Sequence, residues 1–336
     1  MRILKTIALA MAATVGLGGL ARAEFQDRTL RISNTVTEVH AVGAGIKKMQ
    51  QCLLDKSGGK MKVQAFWSGS LGSDGQATQA LRAGTLEMVT TATSSLVGIA
   101  PKAGVFDLPY LVDNDEQAYA LLDGKVGDEI NKELEAAGLV NLGYWENGFR
   151  HVTMSNNPVT KWEDLSGTKM RTLPSPIHIA IFKAFGATAV PMSFGEVIAA
   201  LETGAIDGQD NTLVNIDTLN IYEVQKYLSL TGHMYNPLPL LYSKKLFDQL
   251  APEEQKALKD CGAEGRDEER RVSREMGRKA VENVKGNGME VNEISPEALE
   301  RFKEKTKAVY DEMGGTFGAQ FMEAVHAEIS NLRAAQ

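Results

Sequence analysis

Polar side chains suited to holding an anion occur in three short segments of the second half of the chain. Arg150 lies where one predicted strand gives way to the next, and Arg171 lies at the end of a predicted strand over 169–173. Asn211 follows a third short strand, predicted over 206–208. A guanidinium matches a planar carboxylate with paired hydrogen bonds and keeps its charge at any working pH, and an amide can both donate and accept. The residue types therefore predict a carboxylate site.

The position of Arg171 favours ligand binding over a surface ion pair. The predicted strand that carries it turns through two prolines into a helix, and Asn211 lies in a predicted turn between a strand and a helix. Ligands of open α/β sheets bind beyond the carboxyl ends of the strands. Arg150 taken alone is typical of a surface salt bridge.

Motifs for catalysis and for metal binding are missing from the sequence. It has no H-E-x-x-H, C-x-x-C, G-x-S-x-G or phosphate-binding loop, and the glycine pair at 43–45 lacks the third glycine of a dinucleotide fingerprint. The five histidines show no metal-ligand spacing, so we expect each of them to be a surface or packing residue. The sequence therefore predicts no enzyme, no cofactor and no metal.

The composition is that of an acidic globular protein. The net charge is −7 and 43% of the residues are hydrophobic, with no basic block that would indicate nucleic acid. An acidic protein must bind an anion through a few local arginines and not through its overall field. We expect a monomer.

The first 23 residues predict a cleaved signal peptide. A short basic stretch precedes an apolar run over 7–20, and Ala21-Arg22-Ala23 offers small residues for cleavage after Ala23. The run is too short to span a membrane comfortably, and no later stretch is as long as a spanning helix requires. We therefore expect an exported protein of the periplasm that begins at Glu24.

Two cysteines, Cys52 and Cys261, lie far apart in the sequence. In an oxidising compartment a disulfide between them can persist. The sequence leaves a bridge and two buried thiols equally open.

Strand-like and helix-like segments alternate along most of the mature chain. Strands are predicted over 28–33, 62–66, 86–91, 139–145, 150–153, 169–173, 188–190 and 206–208, with helices between them. This alternation is typical of α/β architecture with a largely parallel sheet, and the length favours two lobes. A mixed-charge helix over 252–285 would be about 50 Å long and is expected to lie across both lobes, although Gly262 and Gly265 could divide it.

Several motifs, in order along the chain, resemble the solute-binding proteins of tripartite ATP-independent periplasmic (TRAP) transporters, the DctP family. They are Gly-Phe-Arg-His at 148–151, Met-Arg-Thr-Leu-Pro-Ser-Pro-Ile-His at 170–178, Ala-Val-Pro-Met-Ser-Phe-Gly-Glu-Val at 189–197 and Asp-Gly-Gln-Asp-Asn at 207–211. The turns at 57–60 and 68–72 and Asp-Leu-Pro-Tyr at 107–110 extend the resemblance over the mature chain.

This resemblance implies a role for each member of the site. Arg171 would form a bidentate salt bridge with the substrate carboxylate, Asn211 would assist it, and Arg150 would face the bound acid. Phe194 would line the cleft, with simple core packing as the alternative. The partners implied are a small organic acid and the membrane permease subunits.

The resemblance also implies a two-lobed periplasmic-binding-protein-like fold with a ligand cleft between the lobes. Lobe I would contain 24–147 and about 236–275, and lobe II 148–235 and about 276–336. Specificity would come from lobe I and from the crossover, where each candidate could equally be a cap, a turn residue or a core contact. The candidates are Asn34, His40, Trp67, Asp74, Thr93, Ser94, Ser95, Trp145 and Asn147.

The body of the ligand stays open. Thr212 stands where many relatives have proline, and 37–40 replaces a proline-histidine element often seen there. A C4-dicarboxylate, a sugar acid and another hydroxy or oxo acid are all compatible with the sequence. One alternative is a secreted enzyme that uses Glu38, Asp74 or His40 as acid or base, and another is a receptor sensor domain, which would normally be joined to a membrane helix.

Overall fold

The alternating segments fold into one mixed sheet covered by helices in the computed structural model, which describes residues 25–334. The predicted signal peptide lies outside the described residues. The strands are β1 (Arg28–Ser33), β2 (Met61–Phe66), β3 (Met88–Thr90), β4 (Leu139–Met154), β5 (Lys169–Thr172), β6 (Thr188–Pro191), β7 (Gly208–Thr212), β8 (Tyr227–Ser243) and β9 (Glu290–Glu293).

The helices lie between and after these strands. They are α1 (Ala41–Ser57), α2 (Asp74–Ala83), α3 (Asp115–Leu122), α4 (Lys125–Ala136), α5 (Pro176–Ala184), α6 (Val197–Glu202), α7 (Leu213–Thr218), α8 (Lys244–Phe247), α9 (Pro252–Gly286), α10 (Pro296–Met313) and α11 (Ala319–Ala334). No helix among residues 25–334 combines the length and the apolar character needed to span a membrane.

Two long antiparallel strands, β4 and β8, form the centre of the sheet. The strand order is β2-β1-β3-β8-β4-β7-β5-β6, with β9 beside β8. The sheet has two parallel halves: β1, β2 and β3 run parallel in one, and β5, β6 and β7 run parallel in the other. At the centre the pairing is antiparallel, with β8 between β3 and β4, and with β4 next to β7. The two-lobed α/β architecture is confirmed. The expectation of a largely parallel sheet holds within each half and fails at the centre.

Strand β8 is the longer of two strands that the sequence did not predict, the other being β9. Its 17 residues include Pro237 and Pro239, which lack the amide hydrogen of a ladder and are unusual inside a sheet. They pair with Glu146 and Tyr144 where the β4–β8 register shifts, so the irregular ladder accommodates them. Likewise, the two strands predicted over 139–153 are one continuous strand, β4, because the bulges bend it without ending it.

Helix α9 runs unbroken for 35 residues and packs along α1. Its glycines serve close packing and do not divide the helix: a Cβ on Gly265 would lie 2.9 Å from the carbonyl oxygen of Gly45. Cys52 of α1 and Cys261 of α9 form a disulfide with their Cα atoms 5.5 Å apart. Near the chain end, α10 packs on α5, whereas α11 contacts α3 and α4.

Candidate functional site

The carboxyl ends of the two sets of parallel strands point toward each other. Strand β3 ends at Thr90, opposite Leu240 of β8. Strand β7 runs the opposite way and ends at Thr212, opposite Arg150 of β4, which itself pairs with Met234 of β8. Both sets of strand ends therefore converge on residues 234–240 of β8, and the loops beyond them face each other across the crossover between the lobes. This is where open sheets place ligands.

Arg171, near the end of β5, is completely buried. Its Nε and Nη2 both donate to the carbonyl oxygen of Met192, at 3.2 and 3.0 Å, which fixes the plane of the guanidinium. Its Nη1 is buried and has no hydrogen-bond partner among residues 25–334. Burial, together with the nearby charge of Arg150, lowers the pKa of Arg171 to about 10. The side chain is therefore a charged, oriented donor at neutral pH.

Asn211, in β7, is also buried and has a similarly free donor. Its Oδ1 accepts from the amide of Thr212 and from Nδ2 of Asn215, each at 3.0 Å. Because the oxygen is held in this way, the amide nitrogen Nδ2 is fixed as well, and it has no partner among residues 25–334. Buried polar groups are normally hydrogen-bonded, so free donors on Arg171 and Asn211 are features that a bound anion would explain.

The expectation that Asn211 lies in a turn was wrong, because 208–212 is strand β7. The strand lies between β4 and β5, which places its carboxyl end beside both arginines. Asn211 thereby pairs with His151 of β4, and Thr212 pairs with Arg150. A short polar strand of this kind has no hydrophobic alternation to reveal it in the sequence.

Arg150 forms a buried ion pair with Asp210. Its Nε lies 2.6 Å from Oδ2 of Asp210, and its Nη2 donates to Oδ1 at 3.2 Å and to the carbonyl oxygen of the same residue. Its Nη1 reaches Oδ1 of Asn211 at 3.5 Å. The resemblance implied that Arg171 binds the substrate carboxylate and that Arg150 faces the bound acid. The geometry gives Arg150 an internal partner and leaves a free donor on Arg171.

Two histidines complete the surroundings of Asp210. His178 Nε2 lies 2.9 Å and His233 Nε2 3.2 Å from Oδ2 of Asp210. Burial alone would raise the pKa of Asp210, but the charge of Arg150 and the histidine hydrogen bonds hold it well below its usual value. The expectation that each histidine is a surface or packing residue was therefore wrong for these two, which bind the carboxylate at the centre of the site.

His178, Asp210 and His233 also bring three possible metal-ligand atoms within 4.8 Å of one another. The hydrogen bonding opposes a metal site. Nδ1 of His178 accepts from the amide of Leu173 at 2.8 Å, and burial lowers the pKa of this histidine to about 4. The neutral ring therefore carries its proton on Nε2 and donates to Asp210, so no lone pair is directed at a cation.

At the carboxyl edge of the first lobe, Asn34 and Asp74 play different parts. Asn34 is buried and internally satisfied, since its Oδ1 accepts from Thr90 at 2.6 Å and its Nδ2 donates to Phe66. Asp74, at the start of α2, is partly buried and accepts from Thr35 at 3.1 Å. Burial raises the pKa of Asp74 to about 6, against the lowering effects of Thr35, Arg171 and Thr91.

His40, Trp67 and Phe194 also lie near the carboxyl edge of the first lobe. His40 caps α1 by accepting the Val42 amide on Nδ1, and its buried Nε2 has no partner among residues 25–334. Trp67 and Phe194 are both partly buried and pack against the same first-lobe core cluster. Phe194 follows Met192, the acceptor of Arg171, so the segment that orients Arg171 also contacts the first lobe.

The remaining candidates form the floor and the interior of this region. Asn147 lies in a buried amide network, with its Nδ2 2.8 Å from Asn236 and its Oδ1 accepting from Thr212 and Asn215. Ser94 donates to Asp107 at 2.6 Å, and Ser175 of the second lobe donates to the other oxygen of that carboxylate at 2.8 Å.

Three candidates make no polar side-chain contact that defines a role. Thr93 is buried, and its hydroxyl has no partner within the described range. Ser95 is partly buried in the same 3-10 turn. Trp145 is completely buried, and a Cβ on Gly45 would lie 2.7 Å from its Cζ3, which places the indole in the packing of α1 against α9.

A separate cavity of about 600 Å³ lies against α9 on the crossover. It is lined by Asp115, Glu116 and Glu146 together with Arg271, Arg274 and Arg278, and neither Arg171 nor Asn211 lines it. Its mixture of charges is a poor match for a small anion. Glu146 lies at the edge of this cavity. Its carboxylate accepts a hydrogen bond from the Tyr119 hydroxyl, and its backbone amide donates to the carboxylate of Glu269 at 2.8 Å.

Sequence reasoning missed Asp210, His178, His233, Asp107 and Asn215. Asp210, His178 and Asp107 lie inside motifs that had been recognised, but the pairing of Arg150 with Asp210 joins residues 60 apart in the chain. An acidic residue directly beside Asn211, in a segment expected to hold an anion, was the available signal. It indicates a carboxylate whose charge a neighbouring arginine must balance.

Comparison with known proteins settles the family. Residues 32–315 match the model of the bacterial extracellular solute-binding protein family 7, DctP. The chain belongs to this family. The resemblance to TRAP solute-binding proteins is thereby confirmed, and the members of the family are binding proteins that work outside the cytoplasm.

Three similar proteins illustrate the DctP family. The 2,3-diketo-L-gulonate-binding periplasmic protein YiaO of Escherichia coli is 36% identical over 82% of this chain and 84% of its own length. The C4-dicarboxylate-binding periplasmic protein DctP of Rhodobacter capsulatus is 30% identical over 97% and 98%. The structure of the sugar acid binding protein DctPAm of Advenella mimigardefordensis with galactonate has a TM-score of 0.90 and 35% identity, and covers 92% of this chain and 99% of its own.

Proposed function

We propose that this DctP-family protein captures a small organic acid between its lobes, with Arg171 as the direct carboxylate ligand, and delivers it to a TRAP permease. The observation that carries the proposal is the buried Arg171 guanidinium, whose Nη1 has no partner among residues 25–334. Acids named for its relatives, 2,3-diketo-L-gulonate, C4-dicarboxylates and galactonate, all present a carboxylate to such a group.

Asn211 is the second ligand in this proposal. Its Nδ2 is directed by the three hydrogen bonds that hold its Oδ1, and it donates to the same carboxylate as Arg171. Donors held in place before binding lose little conformational entropy when the ligand arrives. Binding also satisfies two buried donors at once, which a neutral ligand without strong acceptors would do poorly.

Arg150 acts as a positioning residue. Its contacts with Asp210 and Asn211 hold β7 in register with β4, and its charge adds to the positive potential at Arg171. The ion pair with Asp210 reduces the net charge that Arg150 offers to a ligand. We therefore expect it to contribute less to binding than Arg171.

Lobe closure follows from the placement of the site. We propose boundaries near 147/148 in β4 and 235/236 in β8, with lobe I holding 24–147 and about 236–275 and lobe II holding 148–235 and about 276–336. Ligand must contact both lobes to favour the closed state, since only differential contacts shift a conformational equilibrium. Arg171 supplies the second-lobe contact, and the loops after β1 and β2 supply the first.

A catalytic role has no support from the candidate acids and bases. Glu38 is exposed, whereas His40 is buried and Asp74 bonds to Thr35. Among residues 25–334 no hydrogen bond or ion pair joins any two of these three side chains. We propose that the protein is a non-catalytic monomer, without nucleic-acid partners, in the periplasm.

The test is mass spectrometry of small molecules released when the purified protein is denatured, followed by calorimetric titration of the stripped, refolded protein with the acid found. We expect one organic acid in stoichiometric amount. At 100 times its Kd this acid should stabilise the protein by about 2.7 kcal/mol. A protein that releases no acid, and that no carboxylate in a broad panel stabilises, would contradict the proposal.

A further inference from the structure

A network of buried side-chain hydrogen bonds leads from the crossover between the lobes to Asn211. Neighbours in it are joined at distances between 2.6 and 3.2 Å, and each residue is at most 7% exposed. We call it the amide network, and its members in order are Asp107, Ser94, Asn236, Asn147, Asn215 and Asn211. A buried polar group that is wrongly paired is costly, so the direction of each of these hydrogen bonds matters.

A bulge in β4 aims Asn147 into the amide network. Glu146 pairs with Pro237 and Gly148 pairs with Asn236, so Asn147 is the extra residue where the register shifts. Gly148 has a φ of 106°, a backbone conformation that glycine adopts readily. Bulges re-aim side chains and recur beside functional sites. The Asn147 amide thereby reaches Asn236 on one side and Thr212 and Asn215 on the other.

Asp107 sets the direction of the hydrogen bonds in the amide network. Its two carboxylate oxygens accept from Ser94 and Ser175, at 2.6 and 2.8 Å. Burial raises the pKa of Asp107 to about 6, so the group is mainly ionised at neutral pH and has no proton to give. Ser94 donates its only proton to Asp107 and therefore accepts from Nδ2 of Asn236. The oxygen of Asn236 is then left to accept from Nδ2 of Asn147.

The same direction continues to the donor on Asn211. Oδ1 of Asn147 accepts from Nδ2 of Asn215, which also donates to Oδ1 of Asn211. Each amide is thus turned the way that leaves Nδ2 of Asn211 as the last donor, without a partner among residues 25–334. A reversed network would turn the oxygen of Asn215 toward Asn211 and attract the Nδ2 of Asn211 away from the acid.

We propose that the amide network positions Nδ2 of Asn211 for the acid, and that Asn147 and Asn215 raise the affinity without touching the acid. This inference rests on the proposed function, since it assumes that Asn211 donates to the bound carboxylate. Asn147 and Ser94 become positioning residues, whereas the resemblance implied that they contact the ligand. With the boundaries proposed above, Asn147 belongs to lobe I, so a first-lobe residue orients a second-lobe donor.

The hydrogen bonding of Asn215 supports a positioning role. Its Nδ2 donates to Asn147 at 2.8 Å and to Asn211 at 3.0 Å, whereas its buried Oδ1 has no partner among residues 25–334. An unpartnered buried oxygen lowers stability, so stability alone does not account for an amide at this position. The side chain instead supplies the two donors that hold the oxygens of Asn147 and Asn211.

A double-mutant cycle in the full mature protein tests the inference. The titrant is the acid released from the denatured native protein and identified by its mass, or galactonate if none is released. We expect Asn215→Leu to weaken binding by about fivefold and Asn147→Leu by about threefold, but each by less than about twofold in an Asn211→Ala background. Such non-additivity is specific to residues that act through Asn211, because general damage to the site would weaken binding in both backgrounds.

Asn292→Leu is the matched control for the cycle. It removes the side-chain hydrogen bonds of a partly buried asparagine in β9, to Ser229 and Val159, and should leave the affinity unchanged in both backgrounds. If Asn215→Leu fails to fold, Asn215→Ala takes its place. Equal losses with and without Asn211 would mean that Asn215 contacts the acid itself, and they would overturn the inference, as would unchanged affinity in both Asn215→Leu and Asn147→Leu.

The side-chain amide protons of Asn211 provide a second readout, which needs no acid. Their signals in ¹⁵N-edited spectra are identified by their loss in Asn211→Ala. Asn147 does not contact Asn211 directly, so a change of these signals in Asn147→Leu requires transmission through the residues between them. We expect Asn147→Leu and Asn215→Leu to shift or broaden the signals and Asn292→Leu to leave them in place. Signals that are the same in both network variants as in the parent would overturn the inference.

Failure of this inference and failure of the proposed function give different results. If Arg171→Gln and Asn211→Ala weaken binding but Asn215→Leu and Asn147→Leu do not, the inference is wrong and the proposed function stands. If Asn211→Ala binds like the parent and Arg171→Gln does not, the inference is wrong and the proposed function loses only its second ligand. If no variant changes the affinity, Arg171→Gln included, both are wrong.

Discussion

Arg150 and Asp210 form a completely internal ion pair, with Nε of the arginine 2.6 Å from Oδ2 of the aspartate and both side chains at most 2% exposed. The pair lies between the strand that carries Asn211 and the strand that crosses between the lobes. A buried charge that loses its partner is strongly unfavourable. The pair therefore holds the floor of the site in place while Arg171 keeps a donor free.

Removal of Asp210 should destabilise the fold. Asp210→Asn leaves the Arg150 charge buried without compensation, so we expect the free energy of unfolding to fall by about 3–5 kcal/mol in urea denaturation. The double variant Asp210→Asn with Arg150→Met removes both charges and should recover part of this loss. Asp248→Asn, in the exposed pair with Lys244, is the surface control and should have little effect. An Asp210→Asn variant as stable as the parent would contradict the structural role of the pair.

Asn211 should make a measurable contribution to the affinity for the acid, but a smaller one than Arg171. Asn211→Ala removes the Nδ2 donor, and the loss of one hydrogen bond to a charged group should weaken acid binding by about tenfold. Asn211→Asp replaces the donor with a negative charge and should weaken binding far more. Isothermal titration with the acid recovered from the protein measures both. Equal affinities for the parent and the alanine variant would exclude Asn211 from the site.

Glu146 should make stability depend on pH. Burial and the neighbouring Asp115 raise its pKa to about 7, and the hydrogen bond from Tyr119 only partly offsets this. Because the folded pKa lies above the unfolded one, the protonated group favours the fold at low pH, and this contribution is lost as the pH rises through about 7.

Glu146→Gln should therefore stabilise the protein relative to the parent at pH 8 and do so less at pH 5. The difference between the two pH values should be on the order of 2 kcal/mol. Chemical denaturation at each pH measures it, with Glu116→Gln, on the rim of the same cavity, as the control. A stability difference between Glu146→Gln and the parent that is the same at both pH values would show that Glu146 titrates normally.

The disulfide should stabilise the first lobe without setting affinity. Cys52 and Cys261 are 209 positions apart, and a bridge over a long loop restricts the unfolded chain. The double variant Cys52→Ser with Cys261→Ser should lose about 2–4 kcal/mol of unfolding free energy, and reductant should have the same effect on the parent. Affinity for the acid should change less than threefold. A large loss of affinity in the folded double variant would mean that the α1–α9 contact shapes the cleft.

The sequence predicted the parts of the site that follow local rules. Arg171 was placed by the rule that ligands bind at strand ends, and the long helix by its proline start and charge pattern. Strand β8 was missed because Pro237 and Pro239 oppose strand formation locally, and its place in the sheet is stabilised by pairing with β3 and β4, which are distant in sequence. Strand β7 was taken for a turn because its residues are polar.

The charge relationships could not be read from the sequence at all. The link between Arg150 and Asp210 depends on how β4 and β7 are brought together by the sheet. The sequence and its resemblance made Arg171 the anchor, but they gave Arg150 no partner inside the protein. Only the contacts of Arg150 indicate that it is a positioning residue.

The central claim is tested most directly by titrating the parent, Arg171→Gln and Arg82→Gln with the acid released from the native protein. Arg82 is an exposed arginine on α2 that serves as the matched control. We predict that Arg171→Gln, while folded, binds at least a hundredfold more weakly, since it loses the charged donor, and that Arg82→Gln binds like the parent. An Arg171→Gln variant that binds the acid as tightly as the parent would contradict the account.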